Sequence, residues 1–250
     1  MFDLTGKVAI ITGSSRGIGQ AIAEQYARAG AKVVISSRNL DACEPIAQAI
    51  RDKGQDAIAL KCNVGDKAQV QNLFDQTMKQ WGRVDILVCN AATNPSYGPM
   101  STLEDSAFDK VMRVNVQSTI WLSNLVTPIM IENGGGSIIL LSSITALKGN
   151  TVIGAYGMSK AAEAALARNL AHELGKYKIR VNAIAPGLVK TEFARALWEN
   201  PKIMARQEKA TPLRRIGEPD DIAGVAHFLA ARASAFVTGQ VIVADGGETI

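Results

Sequence analysis

The stretch KVAIITGSSRGIG, residues 7–19, decides the fold. Val8 to Ile11 are apolar at every position, and they run without a break into a turn carrying Gly13, Gly17 and Gly19. Apolarity at every position, rather than every second one, marks a strand covered on both faces, as in a parallel sheet between two helix layers. A glycine-rich turn from such a strand into a helix lets backbone close on a pyrophosphate, to which the helix N-terminus presents unpaired N–H groups. The spacing here is G-x-x-x-G-x-G. Taken alone, it would also serve a tight structural turn.

The same rhythm continues outward. Strands are expected at 7–12, 32–36, 57–62, 84–88, 137–141, 179–184 and 240–244, and helices near 17–29, 41–53, 67–81, 103–132, 155–176 and 219–231. Strict β-α alternation predicts a doubly wound, Rossmann-type α/β fold: a seven-stranded parallel sheet with helices on both faces. No linker, repeat or low-complexity segment divides residues 1–250, which therefore read as a single domain. Only 187–218 breaks the pattern. This insertion between the last two strands holds Phe193, Leu197, Trp198 and Met204 among charges, as expected of a substrate lid.

Composition narrows the function. The chain is 47% apolar and 20% charged, ordinary for a folded soluble protein. Its net charge of +4 is scattered, with no basic run longer than Arg214–Arg215, so no nucleic-acid partner is expected. Cys43, Cys62 and Cys89 are odd in number and far apart, which fits reduced thiols rather than a disulfide framework. His172 and His227 lie far apart on expected helices, too few and too distant for a zinc set, so no metal is expected. The N-terminus lacks the basic start and small-residue cleavage site of a signal peptide. The uncharged stretch Val114–Ile131 carries Asn115, Gln117, Ser123, Asn124 and Pro128, and reads as a buried or interface helix rather than a membrane span.

The second strand should select the nucleotide. An NAD site usually carries an acid at its end to take the ribose hydroxyls. Here the sequence is Ser36-Ser37-Arg38-Asn39, and Asp41 falls in the expected first turn of the next helix, where the helix dipole favours it anyway. Arg38, joined by Arg16 from the glycine turn, suits a 2′-phosphate through charge-assisted bonds, so NADP(H) is favoured over NAD(H).

The chemistry is expected in GAYGMSK, residues 154–160. Tyr156 and Lys160 are four apart and so share one helix face. An ammonium beside a phenol favours the phenolate and makes tyrosine a usable proton donor and acceptor. Ser143 stands just past the strand at 137–141, on the sheet edge where open parallel sheets bind ligands. Asn115 adds a polar group inside an apolar helix.

TGSSRGIG, Asn115, Ser143 and Tyr156-x-x-x-Lys160, in this order and at these separations, resemble the short-chain dehydrogenase/reductase family in its single-domain branch. The likeness covers the whole chain, including PGLVKT (186–191) and the terminal DGG (245–247). The resemblance implies that Tyr156 is the catalytic acid/base, that Ser143 polarises the carbonyl, and that Lys160 lowers the tyrosine pKa and holds the nicotinamide ribose. It gives Asn115 a proton-relay water. It places the cofactor along Gly13, Ser15, Arg16, Gly17, Ile18 and Gly19, past Ser37 and Arg38, with adenine near Asn63, Val64, Asn90, Ala91 and Ala92. The nicotinamide then lies by Pro186, Gly187, Val189 and Thr191. Ala92 departs from the family's usual glycine, so the local backbone must tolerate a Cβ. Asn63 departs from its usual aspartate, although its carbonyl oxygen could still meet the adenine amino group.

NAATNP (90–95) and PGLVKTEFARALW (186–198) look most like the family's NADPH-dependent carbonyl and retinol reductases. The expected reaction is interconversion of a ketone and a secondary alcohol. Alternatives are a 3-oxoacyl-carrier-protein reductase, an NAD-dependent polyol or sugar dehydrogenase and, from another class, a catalytically silent nucleotide-binding regulator. Tyr97, Phe193, Leu197 and Trp198 suggest an apolar pocket. The chain ends Glu248-Thr249-Ile250, which is no peroxisomal address, so a cytoplasmic location is expected. Small and apolar residues of the helix at 155–176 point to a homo-oligomer, a dimer or tetramer, as the resemblance implies.

Overall fold

Val8–Thr12 form β1, and each of its five residues is buried. In the computed structural model, which describes residues 1–250, β1 lies inside one parallel sheet with β2 (Lys32–Ser37), β3 (Ala57–Lys61), β4 (Ile86–Cys89), β5 (Gly136–Leu141), β6 (Ile179–Pro186) and β7 (Val241–Ala244). The strand order is β3-β2-β1-β4-β5-β6-β7 and every pairing is parallel. The order reverses between β1 and β4, and in such sheets ligands bind outside the C-terminal ends of the strands at that reversal.

Alternate side chains of each strand enter two separate cores. Ala9, Ile11, Val33, Ile35, Ile86 and Val88 pack under α1 (Gly17–Arg28), α2 (Glu44–Arg51) and α9 (Pro219–Ala230). Ile10, Val34, Leu87, Ile138 and Leu140 pack under α3 (Lys67–Trp81), α5 (Ser118–Glu132) and α6 (Gly154–Leu174). Full burial of each such aliphatic side chain is worth about 1.5–3 kcal/mol, so the doubled core explains why the strands read apolar throughout. No helix is long and apolar enough to cross a membrane.

Two expectations need correction. Asp41 lies in a turn, since α2 begins only at Glu44, so it is not in the helix's first turn. The pattern at 103–132 is not one α-helix. It comprises α4 (Asp105–Val111), π-helical turns at Met112–Gln117 and then α5, which is partly exposed and keeps Pro128 inside it. The insertion after β6 holds α7 (Arg195–Trp198) and α8 (Pro201–Ala210), neither with a buried residue.

Candidate active site

Four elements meet at the C-terminal edge of the sheet. The first is the turn after β1, in left-handed backbone at Gly13 (φ 65°) and Gly17 (φ 58°), where glycine alone is unstrained. A Cβ on Gly19 would stand 2.5 Å from Asn90 Nδ2 and 2.6 Å from the Gly13 carbonyl, so close packing of α1 on the turn requires a glycine there too. Arg16 precedes α1 in extended backbone and no side chain caps the helix, which leaves its first amides to a ligand. Those free amides and the bare glycine backbone suit a dinucleotide pyrophosphate.

The second element is the loop after β4. Thr12 Oγ1 accepts from the amides of Asn90 (3.0 Å) and Ala91 (3.1 Å), while Asn90 Nδ2 donates to the carbonyls of Thr12 (2.8 Å) and Gly13 (3.1 Å). Thr12 and Asn90 thus stitch the ends of β1 and β4 together, a duty of Thr12 visible only once the two strands are neighbours. Ala92 does not adopt positive φ, so its Cβ brings no strain. At the far end, Asn63 Oδ1 accepts from the Gly65 amide (3.2 Å), which leaves the oxygen a second acceptor position. Val64 is buried beside it. Arg16 and Arg38 are exposed, and neither makes an ion pair. Ser37 is half-buried, and its Oγ donates to the Asn39 carbonyl (2.9 Å).

The third element joins β5 to α6. Ser143 lies in extended backbone just past β5, its Oγ accepting from the Thr145 amide at 3.1 Å. Ser142 Oγ donates to the Lys160 carbonyl (2.8 Å), pinning α6 to the strand end. Gly157 faces the same turn: a Cβ there would stand 3.0 Å from the Thr145 carbonyl. The helix therefore approaches Ser143 more closely than a larger residue would permit.

Tyr156 and Lys160 share a face of α6, with Lys160 Nζ 5.4 Å from the centre of the tyrosine ring. Lys160 is buried. Its Nζ donates to the Leu141 carbonyl (2.6 Å) and to Glu163 Oε2 (2.9 Å). Burial raises the Tyr156 pKa, against the pull of Lys160; Glu163 also raises it and the facing Ser143 lowers it. The expected lowering by Lys160 is thus present, but desolvation outweighs it and the phenol stays protonated at neutral pH.

Asn115 sits in the π-helical turns, wholly buried. Its Oδ1 accepts from the Thr93 amide (2.8 Å), and its Nδ2 donates to the Thr93 carbonyl (3.1 Å) and to Ser159 Oγ (2.9 Å). Ser159 Oγ in turn donates to the Tyr156 carbonyl (2.7 Å). The amide therefore anchors the loop after β4 to the helix of Tyr156.

The fourth element follows β6. Gly187 passes so near β7 that a Cβ would lie 2.9 Å from Asp245 Cα, and its amide donates to the Ala244 carbonyl (3.1 Å). Pro186 ends β6, Val189 is buried, and Thr191 approaches the glycine turn, its Cγ2 3.2 Å from a Cβ built on Gly17. Beyond it, Phe193 reaches Tyr156. Tyr97 is 66% exposed. Leu197 is exposed. Trp198 turns inward instead, its Nε1 donating to the Thr191 carbonyl (2.7 Å) with Lys190 over its ring, so it braces its own segment.

The family described as enoyl-(acyl carrier protein) reductase matches residues 13–249. Dehydrogenase/reductase SDR family member 4 from Bos taurus is 40% identical over 248 residues, covering 98% of this chain and 88% of that protein. The chain belongs to the short-chain dehydrogenase/reductase family. A member of this family, the gluconate 5-dehydrogenase of Burkholderia cenocepacia in complex with NADP and tartrate, superposes with a TM-score of 0.94 at 36% identity, over 99% of this chain and 97% of that one. A second member, a 7α-hydroxysteroid dehydrogenase bound to NADH and 7-oxo glycochenodeoxycholic acid, superposes with a TM-score of 0.95 at 39% identity, over 98% of this chain and 95% of that one. Membership of the short-chain dehydrogenase/reductase family makes the chain an oxidoreductase of the alcohol–ketone type. The buried partner of Lys160, Glu163, escapes a reading of the sequence because an acid on a helix normally reads as solvated.

Proposed function

We propose that this protein is an NADP(H)-dependent reductase that interconverts an apolar ketone and its secondary alcohol. The observation that carries the reading is the meeting of Ser143, Tyr156 and Lys160 at the β5–α6 corner, beside the uncapped amides of α1. The residues that would hold the cofactor are Gly13, Ser15, Arg16, Gly17, Ile18 and Gly19 at the pyrophosphate, Arg16, Ser37 and Arg38 at the ribose 2′-phosphate, Asn63, Val64, Asn90, Ala91 and Ala92 toward the adenine, and Tyr156, Lys160, Pro186, Gly187, Val189 and Thr191 toward the nicotinamide. When bound, the nicotinamide supplies or accepts the hydride.

The chain's own residues do the rest. Ser143 Oγ donates to the substrate carbonyl oxygen, which polarises the carbonyl. Tyr156, kept neutral by burial, is the proton donor in the reducing direction, and the Lys160 ammonium stabilises the phenolate left behind. Asn115 fixes the helix that carries them and supports a relay water through which the phenolate is reprotonated.

Residues 187–218 form the lid of a single domain spanning 1–250. Phe193 against Tyr156 gives the site an apolar wall, which favours apolar ketones over polyols. Cytoplasmic placement belongs to the same reading and rests on three unpaired buried thiols. So does a homotetramer, since Ile120 and Met158 stand exposed on α5 and α6 and Phe236 is exposed before β7; size-exclusion chromatography with light scattering measures it.

The test is to mix the protein with NADPH and a panel of ketones of graded size and follow absorbance. Oxidation is expected with apolar ketones. NADPH binding without turnover on any ketone would leave a nucleotide-binding regulator in its place.

A further inference from the structure

Glu163 follows Lys160 by three residues and Tyr156 by seven, so all three line one face of α6. It is 1% exposed, and its Oε2 is 2.9 Å from Lys160 Nζ. The ammonium has one other hydrogen-bond partner, the Leu141 carbonyl at the end of β5. Tyr156 from the same helix and Cys89 from the end of β4 also act on Lys160, while Lys160 is the one charged group acting on Glu163. The cysteine is neutral, since burial pushes its thiol up to about 12. The pair is therefore isolated, and each member has the other as its only counter-charge.

A fully buried ammonium sheds its proton unless a counter-charge holds it. Burial is the largest influence on Lys160 and acts in that direction, and Glu163 is the foremost opposing group. We propose that Glu163 is a positioning residue for proton transfer: its buried carboxylate keeps the Lys160 ammonium charged and fixed behind Tyr156. This rests on the assignment of Tyr156 as proton donor. Lys160 is the strongest influence drawing the phenol's acidity up, ahead of the contrary push from the more distant Glu163. What Glu163 does for Tyr156 it therefore does through Lys160.

The carboxylate has its own pH range. Burial lifts the Glu163 carboxyl to about 7. Above that pH it is ionised and grips the lysine. Below it the carboxyl gains a proton and the grip weakens. The carboxylate is thus needed on the alkaline side, where a buried lysine would otherwise discharge.

Two readouts decide the matter. In protein labelled with ¹³C-lysine, with the Lys160 signal assigned through Lys160→Met, Lys160 in the wild type is expected to hold its proton beyond the usual lysine range. In Glu163→Gln it should release it at least about one pH unit lower. Titration of Lys160 below the ordinary lysine range in the wild type overturns the proposal even if the variant does not fold, and identical titrations in both overturn it too. With a ketone that the wild type reduces, the alkaline limb of kcat in Glu163→Gln should move down with Lys160. KM should stay within about twofold, because a change seen in kcat alone is a change in the reacting state. An equal loss of kcat at every pH would make Glu163 a folding residue only. Should the wild type reduce no ketone, the lysine titration still decides the pair, while the proposed function fails separately.

Discussion

Phe193 packs its ring 6.0 Å from that of Tyr156, with the planes tilted by 39°. A side chain from the segment after β6 thus rests on the phenol that faces Ser143. Phe193→Ala would remove the apolar contact at Tyr156. A hydrophobic contact of this kind contributes about 1–3 kcal/mol to substrate recognition, so KM for an apolar ketone is expected to rise by about tenfold or more, with a smaller change in kcat. Steady-state kinetics on ketones of graded size check this; an unchanged KM would take Phe193 out of the pocket.

Tyr156→Phe keeps the ring against Phe193 and deletes only the hydroxyl. Losing the proton donor should lower kcat by about 10²–10⁴-fold, while NADPH affinity, read by fluorescence titration, stays close to wild type. Substantial turnover in the variant would reassign the donor.

Arg38 is exposed at the end of β2 and makes no ion pair within the chain. A hydrogen bond to a charged group contributes about 1.5–3 kcal/mol, or about ten- to a hundredfold in affinity. Arg38→Asp should therefore shift the NADPH/NADH ratio of kcat/KM toward NADH by that order. An unchanged ratio would move the 2′-phosphate elsewhere.

Asp85 precedes β4 with its side chain 4% exposed, and accepts from the Val8 amide (3.0 Å), Lys7 (3.2 Å) and Arg83 (2.6 Å). Burial acts to raise its carboxyl pKa, but the bonds from Arg83 and Val8 and the charges of Lys7 and Arg83 outweigh it and hold the pKa below the ordinary value. A depressed pKa contributes stability that is complete above the unfolded value, about 3.9, and is lost as pH falls through the folded value. Asp85→Asn should cost about 1–3 kcal/mol at neutral pH. Urea unfolding from pH 7 to pH 3 should show the difference from wild type shrinking only below about pH 4. A difference constant across that range would mean the charge of Asp85 contributes nothing.

The strands and the glycine turn were legible because both faces of the sheet are covered: doubled burial writes apolar runs that period-two alternation does not confuse. Tyr156 and Lys160 were legible because four residues make about one helical turn. Other features stayed hidden for physical reasons. The π-helical turns at Met112–Gln117 alter hydrogen-bond spacing without altering composition. α8 buries nothing, so no apolar stripe announces it. Glu163 looked like a solvated acid until β5 and α6 closed over it, and Thr12 like an ordinary strand end until β4 came alongside.

Those π-helical turns bear on how this chain can change. Each π turn spends about one residue more than a regular helix needs. Deleting a single residue between Met112 and Gln117 would remove that extra residue and draw the turn that carries Asn115 back into a regular helix. Asn115 could then no longer reach both Thr93 and Ser159. Asn115 apart, the segment should accept substitutions more readily than a change in length, so its residue count is itself a requirement, set by geometry.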